Sequence, residues 1–246
     1  LVDDTGVKEI VRGSLIDDLP HGTTCVALKF DEGVILAGDR RATSGHQISH
    51  RTMEKVFPAD HYSGIAIAGA AGPALDMVRL FQLQLEHYEK VEGKSLSLDG
   101  KANQLSQMIR QNLPQAMQGL AVIPLFAGFD LRLGTGRLFQ FDVTGGRYEE
   151  AIFAATGSGS VHATTVIKMA YEEQLGESAA IDLVANAIFE AADEDSATGG
   201  PDLIRGVYPI IAKITSDGYE AIPNEDVSSA FNSIIDDRRS KVSRGE

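Results

Sequence analysis

His21-Gly22-Thr23-Thr24-Cys25-Val26-Ala27-Leu28 is the junction where a polar leader ends and an apolar strand pattern begins, with two adjacent hydroxyl residues at the seam. A threonine hydroxyl is a weak nucleophile without a base. One solution uses the threonine's own α-amino group, which is free only when threonine comes first. Thr23 is therefore the candidate nucleophile, and the Gly22–Thr23 bond has to be cut to make it one. Glycine before the cut suits that step, because a residue without Cβ lets the backbone bend sharply and leaves its carbonyl open to the Thr23 hydroxyl.

Upstream, residues 1–22 carry Asp3, Asp4, Asp17 and Asp18, show no sustained hydrophobic period and close on Leu19-Pro20-His21-Gly22. They read as a detachable leader, with a poorly ordered tail as the plainer alternative. Downstream, no Pro/Gly/Ser-rich or charge-run linker divides residues 23–246, which read as one domain.

Hydrophobic residues make up 43% of the 246-residue chain and charged residues 23%, enough apolar material for a substantial core. The net charge of −13 would repel a phosphate backbone or an anionic lipid surface, so nucleic acid and membrane are not expected as partners. The apolar stretches near 64–75 and 120–129 fall short of the ~18–20 residues that a membrane span needs. The N-terminus lacks a basic-then-apolar signal pattern, and the expectation is a soluble, cytoplasmic protein. The single cysteine, Cys25, excludes an internal disulfide and offers no metal-ligand spacing; its place in a strand favours a small buried residue.

The order of elements sets the fold class. Strands over 25–30 and 33–37 flank the turn signal Asp31-Glu32-Gly33 and predict a hairpin. After a polar segment come strands at 55–57 and 62–68, then a helix over 74–90 with apolar residues on more than one stripe. A second helix is predicted over 99–119, kinked or interrupted at Pro114. Strands follow at 120–130, 137–143 and 150–155. Helices to about Gln174 and over 179–192, two strands between 206 and 222, and a short helix from 224 complete the chain. Strands, two helices, strands, two helices and strands are neither a βαβ alternation nor a repeat array. The prediction is an α+β domain, a four-layer αββα sandwich of two antiparallel sheets flanked by helices.

An acyl-transferring threonine needs a base of pKa near 7–8, a cation and donors for an oxyanion, and a free α-amine supplies the first at about 7.7–8.0. No histidine sits in a G-x-S-x-G context, and no H-E-x-x-H, Walker A or G-x-G-x-x-G motif appears. The motifs that remain are Gly22-Thr23-Thr24, Gly38-Asp39-Arg40-Arg41-Ala42-Thr43, Lys55-Val56 and Gly69. Glu86-His87-Tyr88-Glu89-Lys90, Ala116-Met117-Gln118-Gly119-Leu120, Gly157-Ser158-Gly159-Ser160 and Asp195-Ser196-Ala197-Thr198-Gly199-Gly200-Pro201-Asp202 follow. Each is weak alone. Together, over nearly everything after Gly22, they resemble the proteasome core-particle β-subunits, in their bacterial, actinobacterial-type branch, within the N-terminal-nucleophile hydrolases.

The resemblance implies a threonine endopeptidase matured by self-cleavage at Gly22–Thr23, degrading unfolded polypeptide with no cofactor or metal. It makes Thr23 the nucleophile, Lys55 the cation that lowers its pKa and Asp39 the carboxylate that holds Lys55. Taken alone, Asp39 and Lys55 would read as solvated surface charges. Ser158 and Asp195 match residues that support the terminal amine, and Thr198 occupies a catalytic position that is often serine in the family, with the hydroxyl kept. Gly69 matches the oxyanion donor, and Thr43 the residue that pairs with extended substrate. Ala42, Met53, Phe57, Ile67 and Ala71 match the specificity pocket; all are apolar, which implies cutting after large apolar residues. The implied partners are proteasome α-subunits, other β-subunits in stacked seven-membered rings and an ATP-dependent regulatory ring. A non-catalytic ring subunit and a small-amide amidohydrolase of the same superfamily are the competing readings.

Overall fold

A computed structural model describes residues 22–244; the predicted leader, Gly22 apart, lies outside them. Two five-stranded antiparallel sheets pack face to face. The first has β1 (Thr24–Phe30), β2 (Gly33–Gly38), β10 (Phe153–Gly157), β11 (Ile210–Thr215) and β12 (Gly218–Ala221), in the order β10-β1-β2-β11-β12. The second runs β5-β6-β7-β8-β9, from β5 (Val56–Asp60), β6 (Ser63–Ala66), β7 (Leu125–Asp130), β8 (Thr135–Phe141) and β9 (Arg147–Glu150). A small hairpin of β3 (Ala42–Ser44) and β4 (Gln47–His50) stands apart from both.

Side-chain alternation along β1 explains the layering, because successive residues of a strand face opposite ways. Cys25 and Ala27 point between the sheets with Val34, Leu36, Leu125, Leu138 and Ile214. Val26 and Leu28 point outward, onto α3 (Ser160–Ala170), α4 (Glu177–Glu194) and α5 (Asn224–Arg244), where Ile167, Val184, Ile188 and Phe231 are buried. The other sheet buries Phe126, Phe139 and Ile65 under α1 (Ala71–Glu92) and α2 (Leu98–Ala116), against Phe81, Leu105 and Ile109. Each such side chain contributes about 1.5–3 kcal/mol of transfer free energy. The predicted αββα sandwich is the observed one.

Element boundaries differ where local chemistry overrides hydrophobic pattern. The strand pattern at 120–130 starts pairing in earnest only at Leu125; before it Val122 makes an isolated bridge to Gly69. Pro114 falls in the last turn of α2, where it forfeits a single bond, to the Arg110 carbonyl, and the helix ends two residues later at Ala116. The β3–β4 hairpin carries no alternation to read, since β4 is exposed throughout. The C-terminal helix is 21 residues long rather than short. Its first half buries Val227 and Phe231, and its polar second half is tied down by an ion pair between Arg238 and Glu190 of α4.

Candidate active site at the strand ends

The ends of strands from both sheets meet around Thr23. Thr24 opens β1 opposite Gly157, the last residue of β10, and Cys25 pairs with Gly38, the last residue of β2. Asp39 therefore leaves the sheet beside Thr23, and Lys55 arrives directly before β5.

Asp39 is fully buried and Lys55 is 1% exposed, so neither is the surface charge that its type alone would suggest. Burying an ion pair is tolerable only when every remaining donor and acceptor is satisfied. Here they are. Asp39 Oδ1 accepts from Lys55 Nζ at 2.7 Å and the Thr24 N–H at 2.8 Å. Its Oδ2 accepts from the Arg41 and Gly199 N–H groups, both at 2.8 Å. Lys55 spends its other two protons on the Arg41 carbonyl at 2.5 Å and the Gly22 carbonyl at 3.1 Å. The Thr23 hydroxyl donates to that same Gly22 oxygen at 2.5 Å. Hydroxyl and cation thus converge on the carbonyl of the bond in question.

On the other side of Thr23 lies a hydroxyl–carboxylate cluster. Asp195, the C-cap of α4, accepts on Oδ2 from Ser158 at 2.5 Å and from Thr198 at 2.6 Å, and on Oδ1 from the Ala197 N–H at 3.1 Å. Burial pushes the Asp195 carboxyl up, but these bonds outweigh it and hold it below the usual carboxylate range. The Thr23 N–H also donates to Ser158 Oγ, at 3.5 Å.

Gly69 has φ +110°, and a Cβ there would stand 2.1 Å from the Ala121 carbonyl oxygen. Ladder bonds from Ala70 N–H to Ala121 O and from Ile123 N–H to Ala68 O flank it. Gly69 and Val122 are therefore the non-hydrogen-bonded pair, and the Gly69 N–H turns away from that strand. Gly69 borders a cavity of about 10 Å³ lined by Gly22, Thr23, Ala42, Met53, Ile67, Ala68, Ala71 and Ala74, without a charged side chain. Phe57 is not in that lining; it packs against the core beneath α1. Thr43 is buried on β3, its hydroxyl close to Gly22. No group of three or more His, Cys, Asp or Glu among the described residues could hold a metal ion. Burial raises the Cys25 thiol to about 12, which leaves it inert.

Residue-by-residue sequence reading did not single out Thr24, Arg41 or Gly199. The last two act here through backbone N–H groups, which carry no residue-type signature. Arg41 adds a guanidinium bond to the Ser196 carbonyl at 3.0 Å, tying the Asp39 loop to the 195–199 loop.

A two-sheet sandwich with a strand-end threonine between a buried Lys–Asp pair and a Ser–Asp–Thr cluster defines an N-terminal-nucleophile hydrolase architecture. Residues 19–204 match the family model described as proteasome subunit. The chain is 61% identical over 210 residues to "Proteasome subunit beta" of Acidimicrobium ferrooxidans, covering 85% of this chain and 77% of that one. It is 57% identical to that of Streptomyces griseus, over 90% of this chain and 79% of the relative, and 54% identical to that of Jonesia denitrificans, over 90% and 74%. The chain belongs to the proteasome subunit family.

Proposed function

We propose that this chain is a catalytic β-type subunit of a proteasome core particle, a threonine endopeptidase that matures by cutting its own Gly22–Thr23 bond. The observation that carries this reading is the convergence of Thr23 Oγ1 and Lys55 Nζ on the Gly22 carbonyl oxygen. Attack of Oγ1 on the Gly22 carbonyl carbon forms an ester and breaks the C–N bond, leaving the Thr23 nitrogen as a free amine. Water then hydrolyses the ester and releases the segment ending at Gly22. The Lys55 ammonium favours negative charge on the oxygens it faces, in a site where low solvent access strengthens the effect.

After the cut the same threonine attacks peptide substrates. Its amine, placed near Ser158, takes the hydroxyl proton and later returns it to the leaving amine. The Gly69 N–H, directed away from Val122, supports a role as oxyanion donor, and Thr43 as a backbone partner for extended substrate. Ala42, Met53, Ile67 and Ala71 are the proposed specificity wall, without Phe57. Leu80, Leu83 and Val91 of α1 are exposed, which supports burial against neighbouring subunits in rings built with α-type partners. No helix among the described residues is long and apolar enough to cross a membrane, and work on unfolded polypeptides in the cytoplasm under an ATP-dependent cap fits the family.

The test is intact mass and peptidase activity after co-expression with the α-type partner. Thr23→Ala should remain full length and inactive. Cleavage between Gly22 and Thr23 in that variant, with no other protease present, would overturn self-processing. A wild-type chain that assembles but stays full length and inactive would favour a non-catalytic ring subunit.

A further inference from the structure

The hydroxyl of Thr24 is fully buried and lies 2.6 Å from the hydroxyl of Thr198, a distance at which either oxygen could be the donor. Proton counting removes the ambiguity. Each hydroxyl has one proton. Thr198 spends its proton on Asp195 Oδ2 at 2.6 Å, and Ser158 spends its own on the same oxygen at 2.5 Å, far closer than its other acceptor, the Thr23 carbonyl, at 3.4 Å. An ionised carboxylate only accepts, so Thr24 must give its proton to the remaining lone pair of Thr198. Ser158, its proton committed, can face the Thr23 nitrogen only as an acceptor.

We propose that Thr24 is a positioning residue whose buried hydroxyl donates to Thr198 and fixes a directed chain, Thr24 to Thr198 to Asp195, that sets how strongly Ser158 draws on the Thr23 amine. This rests on Thr23 being the nucleophile. A hydroxyl that accepts a hydrogen bond donates a stronger one. Without the Thr24 proton, Thr198 satisfies Asp195 less well, and the unspent charge pulls harder on Ser158. Through Ser158 that charge stabilises the protonated amine, which cannot take the threonine proton. The charged and titratable groups facing this region are Asp195, Lys55 and Asp39 across Thr23, and His162 on α3, whose charge acts on Asp195. All four stay in place in Thr24→Val, as does the backbone bond from Thr24 to Asp39, and valine suits the first position of a strand.

The experiment is the pH profile of kcat/KM for assembled, mature particles carrying Thr24→Val, Thr24→Ser or Thr198→Ala. Thr24→Val should move the acid limb to higher pH, lower kcat/KM near pH 7 by about 3- to 10-fold, and recover most of the loss at about pH 9. Thr24→Ser should restore the profile. In a Thr198→Ala background, Thr24→Val should add almost nothing, because the two hydroxyls act as one unit. An unshifted acid limb in Thr24→Val, a loss that serine does not rescue, or full additivity with Thr198→Ala would each overturn the proposal. If Thr24→Val is not processed, a fusion removed by an added protease ahead of Thr23 supplies the mature form for the same measurement. Activity surviving in Thr23→Ala would instead sink the nucleophile assignment beneath it.

Discussion

Lys55 Nζ stands 2.7 Å from Asp39 Oδ1, and neither side chain is more than 1% exposed. A buried pair of this kind is weak evidence of stability, because desolvation offsets much of the attraction, yet removing one partner leaves an uncompensated charge. Lys55→Met should therefore cost about 3–5 kcal/mol of stability. The double variant Lys55→Met with Asp39→Asn should regain part of that, since it buries no lone charge. Peptidase activity should stay down at least about a thousandfold in both, as with removal of a member of other nucleophile–base sites. Urea unfolding of the purified chain and peptide turnover of the assembled particle check the two halves separately. Activity returning along with stability would show that the pair is scaffolding.

Gly22 is held where no side chain fits. A Cβ there would meet Ala197 Cβ at 2.4 Å, the Ala197 carbonyl oxygen at 2.6 Å and Thr43 Oγ1 at 2.8 Å. Gly22→Ala must displace the carbonyl on which Thr23 and Lys55 converge, and a misplacement of about 1 Å can cost on the order of a hundredfold in rate. Processing followed by intact mass should slow by at least about tenfold. Wild-type kinetics would mean that the reactive geometry differs from the one described.

Asp195 sets a stability limit on the acid side. Its folded-state pKa is depressed by the bonds from Ser158, Thr198 and Ala197, against the opposing effect of burial. A depressed carboxylate contributes stability that is fully present above its unfolded pKa of about 3.9 and lost as pH falls through the lower folded value. Asp195→Asn should therefore be less stable than wild type near neutrality, and the gap should narrow below about pH 4. Thermal midpoints of the purified chain between neutral and acid pH test this. A constant gap would mean that the three bonds do not depend on the charge.

The layers were legible in the sequence because strands, two helices, strands, two helices and strands follow one another in that order, and because α1 and α4 repeat at helical spacing; the inner and outer faces of Cys25 to Leu28 were not, since all four residues are apolar. What escaped carried no such period. The β3–β4 hairpin is exposed along β4, and α5 continues for several turns after its last apolar contact. The site divided the same way. Thr23, with a glycine before it and a strand after it, could be argued from chemistry. Asp39 and Lys55 could not, since only the fold reveals that four donors around one carboxylate make their burial tolerable. Backbone contributions from Arg41 and Gly199 are invisible to any reading by residue type. Phe57 belongs to the same lesson: an apolar residue on a strand can pack into the core, line a cavity or, like Ile67, do both, and Phe57 packs beneath α1 outside the lining of the cavity beside Thr23.

The cavity beside Thr23 sets the final expectation. Its volume of about 10 Å³ matches roughly one water probe, so on the proposed function a substrate side chain should enter only once Gly22 has left and Met53, partly exposed and of a flexible type, has swung aside. The remaining wall is Ala42, Ile67, Ala71 and Ala74, none able to pair a charge. Burying arginine or glutamate there would go uncompensated. A leucine or phenylalanine side chain, in contrast, contributes about 1.5–3 kcal/mol on burial, or about 10- to 100-fold in specificity. Mature particles should therefore turn over peptides with leucine or phenylalanine before the cut at least about tenfold faster, by kcat/KM, than matched peptides with arginine or glutamate. Met53→Ala, by widening the mouth, should raise the phenylalanine-to-leucine ratio, and Ala74→Leu, by filling the floor, should lower it. Equal turnover after arginine, or a ratio indifferent to both substitutions, would move the specificity pocket elsewhere while leaving Thr23 in place.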